Sequence, residues 1–388
     1  MLTKNINFIN FPQKKNSNVR KLFNNIIKNY LEGNDKLLLS LSDKYKYSFN
    51  LKNISQLKKF NNYKIIGMGG SVLGAEAIYS FLKKKIKKKF TFLNNLKEEN
   101  KIKDKNKTLN IIISKSGNTL ETITNMNSNH IKSNLLFITE NKKNYLREIA
   151  EKFKSEIIEH KNYIGGRYSV LSEVGMLPAE LMGLHEKKFK QLNNLIKNKV
   201  FVNNLIKNVE STLSYVKLGM SNSVILNYDE DSQSLFYWYQ QLIAESLGKK
   251  SKGILPIISS MPKDNHSVMQ LYLDGAKNNF FTFFDVLRKN TKKIENKDLL
   301  NSHYYLQNMN IQKIILAQKI ATQNVFKKKR IPFRSFTILK KDEKTLGELF
   351  CFFILETILL GRALKVNPYD QPSVELIKAE TKKILIRA

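Results

Sequence analysis

A chain of 388 residues with 42% apolar and 10% aromatic side chains can bury a substantial core and is long enough for roughly two to three domains, which excludes a peptide-sized module and a disordered chain. Its single cysteine, Cys351, excludes an intramolecular disulfide framework and a zinc site of several thiolates, and His130, His160, His185, His266 and His303 show no metal-ligand spacing, so no metal is expected. The formal charge of +33 is mostly Lys scattered with Asn and Ile over the whole length, a compositional bias rather than a built nucleic-acid patch, and it remains compatible with attraction of small anions.

The first sixty residues read as mixed helix and loop, and the amino terminus has no apolar core of signal-peptide length. The pattern then becomes regular. "NYKIIGMGGSVLGAEAIYSFLKKK" gives a short apolar strand, a glycine turn at 67–70 and an amphipathic helix from about Val72. The run "KKKIKKKF" that follows lacks Arg and interleaved aromatics and reads as a solvated helix end. "TLNIIISKSGNTLETITNMN" repeats the plan, with a strand from Leu109 to Ile113, a polar turn and a helix from about Leu120, and "NLLFITE" is the next buried strand. Strands alternating with helices predict a parallel sheet covered on both faces.

A helical stretch at about 170–208 leads to a second half with the same rhythm: strand "SVILNYD", helix "DSQSLFYWYQQLIAESLGK", then strands "KGILPIISS" and "NFFTFFDVL". The predicted fold class is therefore α/β, two doubly wound α/β/α sandwiches with mainly parallel sheets. The domains run 1–60 (helix and loop), 61–190, 191–345 and 346–388, the last a helical tail broken by the prolines of "VNPYDQP". Cys351 lies in the apolar run "ELFCFFILETILL", where a thiol packs as a small hydrophobe. No apolar stretch reaches membrane-spanning length, and a cytoplasmic protein without membrane or nucleic-acid partners is expected.

Six segments carry residues suited to chemistry. In "SKSGNT", Ser114, Lys115, Ser116 and Thr119 surround Gly117 between a buried strand and a helix start, where free backbone N–H groups and the helix dipole suit a phosphate. Ser and Thr commonly serve there only as caps, but this crowding exceeds what one cap needs. "GMGGS" follows a strand, yet Val72 occupies the place of the third glycine of a dinucleotide fingerprint and "FTFLNN" ends without the ribose-binding acid. A nicotinamide cofactor is thereby disfavoured, while close backbone approach of a sugar phosphate at Gly70, with Ser71 as a donor, stays open. "GGRYSVLS" sets Arg167, a permanent planar cation, beside Gly165 and Gly166. "ESLGK" puts Glu245 in the last turn of a helix, a carboxylate placed to serve as a general base. His266 in "DNHSVMQ" and Gln371 and Lys378 in "YDQPSVELIK" would each pass as ordinary surface residues if taken alone.

Together, "GMGGSVLG", "GGRYSVLS", "ESLGK", "HSVMQ" and "DQPSVELIK" resemble, in order, the motifs of the phosphoglucose isomerase family, with Ser373 where glycine is usual. The resemblance implies two sugar isomerase domains and interconversion of glucose 6-phosphate with fructose 6-phosphate without metal or cofactor. It implies that Ser71, Ser114, Lys115, Ser116, Thr119 and Gln371 hold the phosphate and that His266 and Lys378 open the ring. Glu245 would move the proton between C1 and C2 while Arg167 meets the enediolate charge, with Glu121 behind His266. In this family the histidine comes from the neighbouring subunit, so the resemblance also implies a homodimer. The loop "SKSGNTLET" departs towards sugar isomerase domains that also accept mannose 6-phosphate, which makes a bifunctional isomerase one alternative. A sugar-phosphate-sensing regulator, which would have no need of Glu245, His266 and Lys378 together, is the alternative of another class.

Overall fold

The computed structural model describes residues 1–12, 18–97, 108–288, 292–295 and 299–387. The apolar runs become strands because both faces of a parallel sheet are covered: Tyr63, Ile65, Ile66, Ile111, Ile112 and Ile113 are all buried. In chain order the elements are strand β1 (Ile6–Ile9), helices α1 (Val19–Leu31), α2 (Lys36–Leu39) and α3 (Leu51–Leu57), then β2 (Asn62–Ile66), α4 (Leu73–Leu82), β3 (Lys89–Leu93), β4 (Thr108–Ile113), α5 (Leu120–Ser128), β5 (Leu135–Thr139), α6 (Tyr145–Lys152) and β6 (Glu156–Glu159). Helices α7 (Glu173–Leu181), α8 (Leu192–Lys197) and α9 (Lys199–Lys217) cross to β7 (Asn222–Asn227), α10 (Gln233–Leu247), β8 (Leu255–Ser260), α11 (Met269–Asp274), β9 (Asn279–Val286), α12 (Ile311–Lys328), β10 (Phe333–Ile338), α13 (Glu343–Ala363) and α14 (Pro372–Arg387).

The first sheet is wholly parallel in the order β3-β2-β4-β5-β6, and the second runs β1-β10-β9-β7-β8 with β1 antiparallel to β10. In each, the chain leaves the central strand in one direction and returns in the other, the doubly wound plan, which opens a crevice at the carboxyl ends of β2 and β4 and another at β7 and β9. One expectation is corrected: residues 1–60 are not only helix and loop, because Ile6–Ile9 pairs with Ser335–Ile338 and closes an edge of the second sheet. The helical stretch after 170 is also broken, by 3-10 turns at Gly166–Leu171 and Glu186–Phe189.

Helices α4 and α10, which follow β2 and β7, pack on each other, so the halves share one continuous core. Helix α13 crosses that core; it is buried on all sides from Thr345 to Gly361 and predominantly apolar, as a helix without a solvent face must be. Cys351 sits there fully buried, and burial pushes its thiol up to about 12, so it acts as packing. Among the described residues no helix is long and apolar enough to cross a membrane.

Candidate active site

At the first crevice the turn after β2 and the turn after β4 stand side by side. The first turn needs its glycines. Gly69 adopts φ +52°, and a Cβ on Gly70 would lie 2.2 Å from the carbonyl of Gly166, so two backbones meet there with nothing between them. A Cβ on Gly166 would instead meet only the Cα of Gly70, at 4.0 Å. Ser71 ends the short 3-10 turn Gly69–Ser71.

In the second turn the hydroxyls converge. Ser114 Oγ lies 2.8 Å from Thr119 Oγ1 and 3.5 Å from Ser116 Oγ, and it accepts from the Gly117 N–H at 3.1 Å. Thr119 occupies the N-cap position of α5, yet its side chain does not cap the helix, so the hydroxyls gather in the loop and do not cap in the ordinary way. Gly117 at φ +68° is pressed against Asn144, the side-chain cap of α6, where a Cβ would clash at 1.9 Å from Oδ1. Lys115 is anchored at the rim: its Nζ donates to the Asn162 carbonyl at 2.6 Å and pairs with Glu140 at 3.5 Å. Glu121 lies in the first turn of α5.

Arg167 is the hub. It is 2% exposed, and every guanidinium nitrogen donates: Nε to Ser246 Oγ at 2.7 Å, Nη1 to Glu245 Oε1 at 3.0 Å and Gln371 Oε1 at 2.9 Å, and Nη2 to the carbonyls of Pro368 and Asp370 at 2.6 and 3.1 Å. One planar fork thereby joins the glycine segment, the end of α10 and the segment before α14. Glu245 keeps 24% of its side chain exposed, and its second oxygen accepts from Gln241 Nε2 at 2.9 Å. Each carboxylate oxygen retains a further lone pair for a proton. Lys249 reinforces the clamp, donating to the Ser246 and Asn367 carbonyls and pairing with Asp370 at 2.9 Å; this contact holds the Asp370 carboxyl below the usual range.

The structure thus brings together Arg167, Glu245 and Gln371, sets Gly70 against Gly166, and gathers Ser114, Ser116 and Thr119 around Gly117. It does not join His266 or Lys378 to them within one protomer. His266 is exposed at the end of the 3-10 turn Lys263–His266, and Lys378 pairs with Glu375 at 2.7 Å on α14, a helix without a buried residue. Sequence reasoning missed Gln241, Ser246, Lys249 and Glu140. For Gln241 a signal existed, since i and i+4 share a helix face with Glu245.

A doubly wound pair of α/β domains with hydroxyls and a glycine turn at one switch point and an arginine–glutamate contact beside it defines a protein of the sugar isomerase domain class. The phosphoglucose isomerase family model matches residues 51–387, and a glucose-6-phosphate isomerase of Methanocaldococcus jannaschii is 32% identical, covering 94% of this chain and 93% of its own. The chain belongs to the phosphoglucose isomerase family. Two solved structures share the fold: a hypothetical protein of Thermus thermophilus, with a TM-score of 0.82 at 22% identity, covers 95% of this chain and 94% of its own. The other, a glucose-6-phosphate isomerase of Chlamydia trachomatis, has a TM-score of 0.67 at 19% identity and covers 91% and 74%.

Proposed function

We propose that this chain interconverts glucose 6-phosphate and fructose 6-phosphate. The observation that carries the reading is the 3.0 Å contact between Arg167 and Glu245 at the crevice that also holds the hydroxyl loop. Moving a proton between adjacent carbons needs one base that reaches both, a cation for the transient oxyanion, and little competing water. Glu245, fixed through Gln241 and Arg167, takes the proton from C2 of the open-chain aldose and returns it to C1. Arg167 meets the charge that develops on the enediolate oxygens. Ser71, Ser114, Lys115, Ser116 and Thr119, with the uncapped start of α5, hold the phosphate, whose binding energy fixes the reacting end; Gln371 is assigned to the same task.

Ring opening is assigned to His266 and Lys378. Because one protomer does not join His266 to Glu245, the complete site is assigned to a homodimer in which His266 comes from the second copy and Glu121 orients it. Leu376, Ile377, Ile384, Leu385 and Ile386 of α14 are 54–74% exposed, more apolar surface than a lone helix leaves in water, which supports a second copy covering them.

The test is turnover of fructose, glucose and mannose 6-phosphates side by side, with Glu245→Gln as the control. The variant should lose on the order of 10³-fold in kcat while fructose 6-phosphate still binds. Binding without turnover in the unsubstituted chain would instead indicate a sensor, and turnover of mannose 6-phosphate would show the broader isomerase.

A further inference from the structure

The second sheet repeats the topology of the first. After β2 the chain makes a 3-10 turn, Gly69–Ser71, before α4; after β7 it makes one, Glu230–Ser232, before α10. The turns lie at the carboxyl ends of β2 and β7, at the switch points where doubly wound sheets take ligands. The residues differ in kind. The first turn reads Gly67-Met68-Gly69-Gly70-Ser71 and has no carboxylate, whereas the second reads Tyr228-Asp229-Glu230-Asp231-Ser232.

Asp229 is 1% exposed and fills its crevice. Its Oδ1 accepts from Arg288 Nη2 at 2.6 Å, and its Oδ2 accepts from Ser232 Oγ at 2.5 Å and from Lys341 Nζ at 2.6 Å. Arg288 follows β9, which pairs with β7, and Lys341 follows β10, the next strand beyond it, so two cationic side chains from separate strands converge on one anion. Asp231 stands behind, 3.4 Å from Arg288 and 3.5 Å from Lys341. Burial alone would raise the Asp229 carboxyl, but Lys341 and Arg288 hold it below the usual range. Arg288 and Lys341 keep 37% and 19% of their side chains exposed, so the donor set borders solvent.

We propose that the second switch point is a latent oxyanion site closed by the chain's own Asp229 carboxylate, which takes the place of a phosphate and leaves each chain with one sugar-phosphate site. The inference rests on topology and contacts and holds whichever sugar is turned over. Removal of the carboxylate leaves a guanidinium, an ammonium and a hydroxyl around the vacated point, with Asp231 at 3.4 and 3.5 Å from the two cations neutralising one of the two charges, a set that would take phosphate or sulfate.

The experiment is calorimetric titration of inorganic phosphate into the full chain and into Asp229→Ala and Asp229→Ser. Each variant should take up one phosphate per chain more than the unsubstituted chain. Adding Arg288→Ala to Asp229→Ala should weaken that extra uptake at least tenfold. A folded Asp229→Ala, judged by circular dichroism, with unchanged stoichiometry overturns the proposal. If both variants fold only when phosphate is supplied, the result supports it; variants that stay unfolded in concentrated phosphate overturn it.

Discussion

Arg167 is costly to bury, several kcal/mol for an ion taken out of water, and the acceptors on all three of its nitrogens offset that cost. A lysine carries the same charge on a single nitrogen and cannot serve Ser246, Glu245 and the Pro368 carbonyl at once. Arg167→Lys should therefore lower kcat by about 10²- to 10³-fold, the usual loss for an oxyanion donor, as steady-state kinetics will record. The same variant should speed proteolytic cleavage around residues 366–371, which Arg167 ties down. At this scale the loops were legible because their residue types are specific: glycine where φ is positive or backbones touch, hydroxyls where a helix start lacks a cap. Ser246 and Lys249 were not, because a serine and a lysine at a helix end gain a role only when Arg167 and Asp370 arrive from elsewhere, whereas Gln241 lies one turn before Glu245 on the same helix.

Strands escaped sequence reading for two reasons. Strand β10, "FRSFTI", is interrupted by Arg334, whose buried guanidinium meets Glu356 of α13, Asn208 of α9, Tyr239 of α10 and Thr282 of β9. A charged residue spoils an apolar run on paper and is satisfied only in three dimensions. Strands β1 and β6 are short edge strands of four residues, which carry little periodicity. Glu356→Ala should lose about 3–5 kcal/mol in urea denaturation, since it leaves Arg334 charged and unpaired in the core, and a paired replacement by Met and Leu should recover most of it. At the end of β6, His160 is 1% exposed; burial, partly opposed by its contact with the Lys161 carbonyl, lowers its pKa from 6.5 to about 4. The unfolded chain takes up that proton first as pH falls, so stability should drop by roughly 3 kcal/mol between pH 6.5 and 4. Unfolding free energies of His160→Gln over that interval should show a shallower slope by the same amount.

For the molecule as a whole, the proposed division of labour between copies can be measured. Chains carrying His266→Ala and chains carrying Glu245→Gln should each be inactive alone and regain activity when unfolded together and refolded as mixed dimers. Mixed dimers that form and remain inactive would count against a shared site. Two α/β units were legible in the sequence from the alternation of strand and helix, and the closure of the second sheet's edge by the amino-terminal segment was not, because Ile6–Ile9 pairs with a partner at the far end of the chain.

That pairing has a consequence during synthesis. A ribosome adding about 5–20 residues per second emits Ile6 roughly 15–70 seconds before Ile338 emerges. Throughout that interval the nascent chain displays an unzipped apolar ribbon, and shielding it from other polypeptides falls to cellular chaperones until the last strand of the sheet arrives to cover it.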